Sequence, residues 1–389
     1  MNQTQAINHR LLALDILRGL TIAGMILVNN PGSWGSVYAP LAHARWNGLT
    51  PTDLVFPFFM FVMGISTCIS LQKYDYRWSG AAAWKIVRRT LGIFAIGLGI
   101  AWFSLFFSTW NSLGREEISF LPRLWRSCWT FDNIRILGVM QRLALSYCGA
   151  ALIAVTARHK HIPRLIAGLL LAYLCVLLFG NGFEYNESNV LSVVDRAVLG
   201  LNHMHRDNGI DPEGILSTIP SIAHVLIGFY CGKLLLETKD INEKIQRLFL
   251  IGTILTFLGF LLSYGCPINK KVWSPTFVLA TCGLACSALA LLTWIIDVKE
   301  KKKWCKFFEA FGVNPLFLYV AAAVFSTLLG YIRFPYGGRT ISIQRYAYRE
   351  LLQPLLGNYP ASLAYALLFV LLVWAVGYVL YRKRIYIKI

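Results

Sequence analysis

The chain has 389 residues, of which 56% are hydrophobic and only 14% charged, and its mean hydropathy is +0.55. A soluble domain carries about 25% charged residues; the shortfall here runs along the whole length, which excludes a large soluble domain and points to one polytopic unit, residues 1–389. The net charge of +18 would raise nucleic acid as a partner of a soluble protein, but in a membrane protein it predicts a positive-inside bias that can be counted.

A spanning helix needs about 20 apolar residues. Runs that meet this length cover 11–30, 52–72, 82–107, 134–157, 162–180, 215–236, 247–265, 273–296, 310–332 and 360–381. The expected fold is therefore all-α, a membrane bundle of about ten transmembrane helices in a lipid bilayer. The first run lacks a small-residue cleavage site and reads as an uncleaved anchor. With both termini placed in the cytoplasm, the inner segments hold 23 Lys and Arg and the outer segments 13, with Arg142 inside a span. The runs KEKKK (299–303) and RKR (382–384) anchor the inner side. Topology thus accounts for the positive charge, and no nucleic-acid partner is expected. The outer segments 31–51, 108–133, 181–214 and 333–359 are long and the inner loops short. Long ordered loops carry function, so chemistry is expected on the outer face.

Charges inside spans face a cavity or a partner. Asp15 and Arg18, in LDILRG, sit three apart on one helix face; they form either an ion pair near the inner interface or a grip on the phosphates of a nucleotide-like donor. His43 precedes Asp53 by ten residues, and Pro51 and Thr52 mark a helix start between them. A carboxylate that orients a histidine ring makes a general base, although a loop histidine is more often simply exposed. Gln141 and Arg142, in GVMQRLALSY, sit well inside the fourth run, about 12 Å from Ile134 along a helix. They read as half of a buried ion pair or as the lining of a polar substrate cavity. His159 and His161 belong to a basic inner turn, and His203 and His205 form an HxH in an outer loop. Asp211 and Glu213 lie ahead of a span, near the positive end of its helix, where they either cap it or bind an amine. Asn269, Lys270 and Lys271 precede Trp273 at another outer helix start.

Most of the nine cysteines fall in apolar runs, where a thiol behaves as a small hydrophobe. Cys128 and Cys266 are both placed toward the outer compartment, and Cys282 and Cys286 share a helix face. Two thiols make a poor metal site, and no metal is expected. No phosphate-binding glycine loop or zinc-protease motif occurs. The residues by themselves lead to a polytopic protein with a polar, outward-facing site.

The segments LDILRGLTIAGMILVN (14–29), HARWNGLTPTDLVFPFFMFVMG (43–64), IRILGVMQRLALSY (134–147), DPEGILSTIPSI (211–222), INKKVWSPTFV (268–278) and FGVNPLFLYV (311–320) resemble, in order, those of the transmembrane acetyltransferases related to heparan-α-glucosaminide N-acetyltransferase. The HxxWNGLTxxDLVFP and GVxQRxxxxY elements are specific when found together. The resemblance implies acetyl transfer from cytoplasmic acetyl-CoA, as co-substrate, to the amine of a terminal glucosamine or related amino sugar across the membrane. It places the active-site histidine on His43, the acid on Asp53 and a functional asparagine on Asn29, with Asn30 as the alternative. His43 would then serve as general base or acetyl carrier, and Asn29 would donate to the developing oxyanion. Arg18, Lys85, Arg88 and Arg89 would hold the CoA phosphates. A homodimer is a further implication. The large N-terminal luminal portion of the eukaryotic enzyme has no counterpart here, so a short bacterial relative in an inner membrane is expected. The competing readings are an amino-sugar or oligosaccharide transporter, and an O-acyltransferase acting on an envelope polysaccharide.

Overall fold

Several helices begin where a small polar residue meets a proline. Thr50–Pro51, Ser274–Pro275 and Asn314–Pro315 each start one, as expected of a ring that presets φ and lacks an amide that would be orphaned there anyway. Ser79, Asn189 and Asp240 cap three others by accepting backbone N–H groups. The computed structural model describes residues 11–387 apart from 115, 117 and 206; Arg10, Arg115, Arg206 and Lys388 of the charge count lie outside the described residues.

In chain order the helices are α1 (Leu12–Asn29), α2 (Pro51–Leu71), α3 (Gly80–Leu113), α4 (Phe120–Cys128), α5 (Val139–Thr156), α6 (Ile162–Phe179), α7 (Val190–Leu199) and α8 (Thr218–Glu237). They continue with α9 (Ile241–Leu262), α10 (Pro275–Thr293), α11 (Cys305–Val313) and α12 (Pro315–Tyr331). An antiparallel hairpin of β1 (Arg333–Tyr336) and β2 (Arg339–Ser342) follows. Two short turns, α13 (Ile343–Tyr346) and α14 (Gln353–Leu356), then lead to α15 (Asn358–Arg382). Among the described residues nine helices are long and apolar enough to cross a membrane, and a tenth span results if α11 and α12 count as one. The all-α expectation therefore holds.

The spans form two tiers. The most apolar windows of α1, α2, α5, α8 and α10 are 61–67% buried, whereas those of α3, α6, α9 and α15 are 11–33% buried. The inner tier packs through glycine. A Cβ on Gly64 of α2 would meet the Val225 carbonyl oxygen of α8 at 2.2 Å, and one on Gly228 would meet Phe61 as closely. Gly19 and Gly312 bring α1 and α11 together in the same way. Such contacts give membrane helices the close packing that hydrophobic exclusion cannot supply in lipid.

Two boundaries differ from those read from the sequence. The run 310–332 is broken by an 85° bend between α11 and α12, because Asn314 precedes a proline and leaves the helical region. The fourth span starts at Val139, not Ile134, since residues 134–138 lie outside the helix and the Ile136 amide donates to the His203 carbonyl at 3.0 Å. Arg142 consequently sits in the first turn of α5, not two turns inside it.

Contacts tie the segments before α2, α5, α8, α10 and α15 together on one face. The Trp46 indole donates to the Phe183 carbonyl at 2.9 Å, the Gly48 amide to Ile268 at 2.8 Å, and the Gly32 amide to Ser362 at 3.2 Å. That face gathers the long segments expected to lie outside.

Candidate active site

The first turn of α2 assembles the cluster. Thr50 and Asp53 form a reciprocal capping box. Asp53 Oδ2 accepts from the backbone amides of Thr50 (3.2 Å) and Ala44 (3.1 Å), and the Thr50 hydroxyl lies 2.9 Å away. Oδ2 is thus used for structure and Oδ1 is left to face His43, whose Nδ1 is 2.7 Å from it. An approach that close to a carboxylate requires a proton on Nδ1, so Nε2 carries the lone pair. The Asp53 side chain is 1% exposed and that of His43 45%. The carboxylate is sealed in, and the basic nitrogen is open to an arriving molecule.

Lys270 completes the cluster. Its ammonium lies 3.3 Å from Asp53 Oδ1 and 3.0 Å from His43 Nδ1. With Nδ1 protonated, the ammonium is paired with the carboxylate. Burial pulls the Lys270 ammonium below the ordinary lysine value, against the opposing pull of Asp53. The segment that carries it is fastened by Asn269, whose amide donates to the Asn47 side chain at 3.0 Å and whose Oδ1 accepts from Val272 N at 3.1 Å. Next to it Trp273 adopts a left-handed φ of 54°, costly for a residue with a Cβ and held here by edge contacts with Phe56 and Phe277. Beside His43, Trp46 stacks on Tyr185 with ring centroids 4.6 Å apart.

The other polar residues singled out in the sequence form a separate, closed network. Arg142 is fully buried and bonds the hydroxyls of Ser217 and Ser221 and the Gly214 carbonyl, with its guanidinium 5.1 Å from the centre of the Trp273 ring. The carboxylate expected opposite it belongs instead to Arg135, which takes both Asp211 and Glu213 at 2.5 Å. Burial works against the Arg135 charge, but the two carboxylates outweigh it and raise its pKa above the ordinary value. Asp211 and Glu213 are therefore occupied within the fold. Gln141 packs against Gly97 of α3. Asp195 of α7, also buried, accepts from Ile215 N through Oδ1 at 2.8 Å while Oδ2 has no partner among the described residues, and burial pushes its carboxyl up to about 6.

At the far end of α2 lies a cavity of about 430 Å³ lined by Arg18, Ser66, Ser70, Lys85, Arg88 and Arg89 on its polar side. Arg18 pairs with Asp15 at 3.0 Å and donates to Ser66 at 2.7 Å; Lys85 donates to the Ser70 carbonyl at 3.0 Å. Lys85, Arg88 and Arg89 have no carboxylate partner among the described residues. Ser66 is thirteen residues from Asp53, about 20 Å along the helix, and Phe59, Val62 and Met63 line the intervening part of the cavity.

Asn29 is not brought to His43 by any hydrogen bond among the described residues. It lines a different cleft of about 220 Å³ with Ser104 of α3 and Tyr319 and Thr327 of α12; Asn30 is turned inward, donating to Ile26 O at 2.8 Å. His203 bonds the Ile134 carbonyl at 2.9 Å and His224 lies 2.9 Å from that of Pro57, so both are held by backbone. The nine cysteines are free, Cys128 and Cys266 included. No group of three or more metal-ligating side chains occurs among the described residues. Sequence reading passed over Thr50, though the T-x-x-D spacing of a capping box signals it, and Ser66 and Ser70, which leave no signal in an apolar helix.

A family model described as heparan-alpha-glucosaminide N-acetyltransferase, catalytic, matches residues 10–264, a stretch that includes His43, Asp53 and the basic residues of the cavity and ends before Lys270. Over 452 residues the chain is 28% identical to the heparan-alpha-glucosaminide N-acetyltransferase of Homo sapiens, which covers 99% of this chain and 60% of that protein. Over 444 residues it is 27% identical to the protein of the same name from Mus musculus, covering 98% and 61%. The chain spans about three fifths of the length of these curated relatives.

Proposed function

This chain belongs to the heparan-alpha-glucosaminide N-acetyltransferase catalytic family, and we propose that it transfers acetyl from acetyl-CoA, bound from the cytoplasmic face, to the amine of a glucosamine or related amino sugar on the opposite face. The observation that carries the reading is the pairing of His43 with a buried carboxylate at 2.7 Å while nearly half of its side chain stays open. An amine attacks a thioester only as the free base. His43 Nε2 accepts a proton from the acceptor nitrogen as that nitrogen bonds the thioester carbonyl carbon; the carbon–sulfur bond breaks, and the departing thiolate takes that proton from the imidazolium, so CoA leaves as the thiol and His43 is again neutral. Asp53 holds the ring in the tautomer that leaves Nε2 basic and stabilises the imidazolium that forms.

The donor is proposed to lie in the basic cavity. Arg18, Lys85, Arg88 and Arg89 offer the charge-assisted contacts that phosphates take, and the apolar stretch of Phe59, Val62 and Met63 leads from them along α2 toward Asp53. Orientation follows the charge count, with the basic cavity inside.

The test is release of CoA thiol by the purified protein with and without glucosamine. The wild type is expected to release thiol in a glucosamine-dependent manner, and His43→Ala to lower turnover by ~10²–10⁴, the range of one general base. Absence of release from wild type with glucosamine or glucosamine-ended oligosaccharides overturns the reading; acetyl-CoA-independent uptake of the sugar would replace it with transport.

A further inference from the structure

Three spans end around one polar cavity. α1 stops at Asn29, α12 stops at Tyr331 and α15 starts at Asn358. The cavity among them, of about 690 Å³, is bordered by the β1–β2 hairpin and the turns before α15. The ends of apolar spans lie at the depth of lipid headgroups. Beside the cavity the exposed rings of Tyr38 and Tyr359 meet with centroids 5.5 Å apart, the placement tyrosines take at a membrane interface. Three guanidinium groups line the cavity, from Arg333, Arg345 and Arg349; all three residues are exposed, and none has a carboxylate partner among the described residues. The segment 333–359 holds four arginines and a single acid, and that acid, Glu350, pairs with Arg339 outside the lining at 2.8 Å. On the face proposed to lie outside, such an excess runs against the charge bias of membrane loops. Like charges gathered without a counter-charge favour an anionic ligand, and guanidinium forks match phosphate oxygens two at a time.

What adjoins the cavity decides the class of anion. Ser36 lines it and also lines a shallow apolar cleft between α1 and α15, formed by Leu27, Val28, Leu363 and Ala366. Ala366 lies eight residues into α15, about 12 Å along the helix, so the cleft leads from the cavity down into the apolar part of the spans. A soluble anion has no use for that cleft. A phospholipid does, because it carries its phosphate at the one level and its chains at the other, and basic pockets between spans hold such headgroups. The polar lining favours a headgroup without a cation: Ser342, Gln344 and Asn358 offer partners to hydroxyls, whereas a choline would bring a fourth positive charge beside three arginines. The walls are fixed. A Cβ on Gly32 would meet the Tyr348 ring at 2.7 Å, the Tyr348 hydroxyl donates to the Asn358 carbonyl at 3.4 Å, and Gln353 Nε2 donates to Asn358 Oδ1 at 2.7 Å.

We propose that this cavity binds the phosphate of an anionic phospholipid, with one acyl chain lying in the cleft between α1 and α15. The bound lipid ties the ends of α1, α12 and α15 together and needs no acetyl transfer to do so. The test is native mass spectrometry of the delipidated full chain in detergent, titrated with phosphatidylglycerol and with phosphatidylcholine of the same acyl chains. Phosphatidylglycerol is expected to bind about tenfold more tightly, the worth of one charge-assisted hydrogen bond, with the gap narrowing as salt rises. Arg345→Gln with Arg349→Gln is expected to abolish the gap, and Arg126→Gln, at an exposed arginine of α4, to keep it. Glycerophosphoglycerol (the headgroup without chains) and inorganic phosphate, each at the concentration of the lipid, are expected to leave bound phosphatidylglycerol in place. Equal affinities for the two lipids in the wild type overturn the proposal, as does a gap that survives the double variant. Displacement of the lipid by either chain-free phosphate also overturns it, and makes the cavity a site for soluble anions.

Discussion

The two ends of α2 carry opposite kinds of polar chemistry. At its start, Asp53 is compensated on every side by two amides, a hydroxyl, His43 and the Lys270 ammonium, and one nitrogen of the cluster is left open. Near its end, Ser66 and Ser70 face a cavity where Lys85, Arg88 and Arg89 go without a carboxylate among the described residues. A compensated cluster fixes a protonation state, which is what proton transfer needs; an uncompensated one attracts an anion, which is what holding phosphates needs. Burial of charge alone distinguishes neither. Arg142, although only 1% exposed, bonds two serine hydroxyls and a carbonyl within the fold and reads as scaffold.

The sharpest way to break this contrast is Asp53→Asn. An amide in that place presents N–H to His43 Nδ1 and turns the ring to the tautomer with no lone pair on Nε2. Turnover is expected to fall by ~10²–10⁴, with KM for acetyl-CoA and the melting temperature little changed; a parallel loss of melting temperature would make Asp53 only a cap. Arg142→Ala should do the converse, costing about 3 kcal/mol of stability through a cavity and unpaired polar groups and read as a lower melting temperature in detergent. A variant as stable as wild type would return Arg142 to the list of ligand-binding residues.

At the other end, Lys85→Leu with Arg89→Leu is expected to raise KM for acetyl-CoA at least tenfold and leave kcat within about threefold, since binding and chemistry are assigned to different ends. Equal losses in both constants would merge the two sites. A smaller effect concerns Asp195. Burial raises its folded-state pKa from 3.8 to about 6, so the protonated carboxyl is favoured in the fold. Its contribution is fully present below about pH 4 and is lost as pH rises through about 6. Asp195→Asn should therefore stabilise the protein by up to about 3 kcal/mol at pH 7, and melting curves of the two proteins should converge at pH 4. A difference that does not depend on pH would show that Asp195 is ionised in the fold.

Much of this was legible in the chain. Apolar length located the spans; the ten-residue spacing of His43 and Asp53 left their pairing open, and the resemblance singled the two out. Two features were not. Arg142 read as a charge well inside its span because nothing in IRILG announces that residues 134–138 are held out of the helix by a contact with His203, some 70 residues later. Lys270 reaches Asp53 only because Asn269, Asn47 and the left-handed Trp273 fold its segment back, a tertiary arrangement with no local signature. Asn29, singled out by resemblance alone, sits in another cleft, and the structure gives it no hydrogen bond to His43.

The account stands most directly on the separation of the two ends of α2 across the membrane. The measurement is acetyl transfer in sealed proteoliposomes, with acetyl-CoA outside and a membrane-impermeant glucosamine disaccharide trapped within. Acetylated disaccharide is expected to accumulate inside while CoA thiol appears outside, and no product is expected when both substrates are outside, whichever way the protein has inserted. Equal product with both substrates on one side would contradict the account.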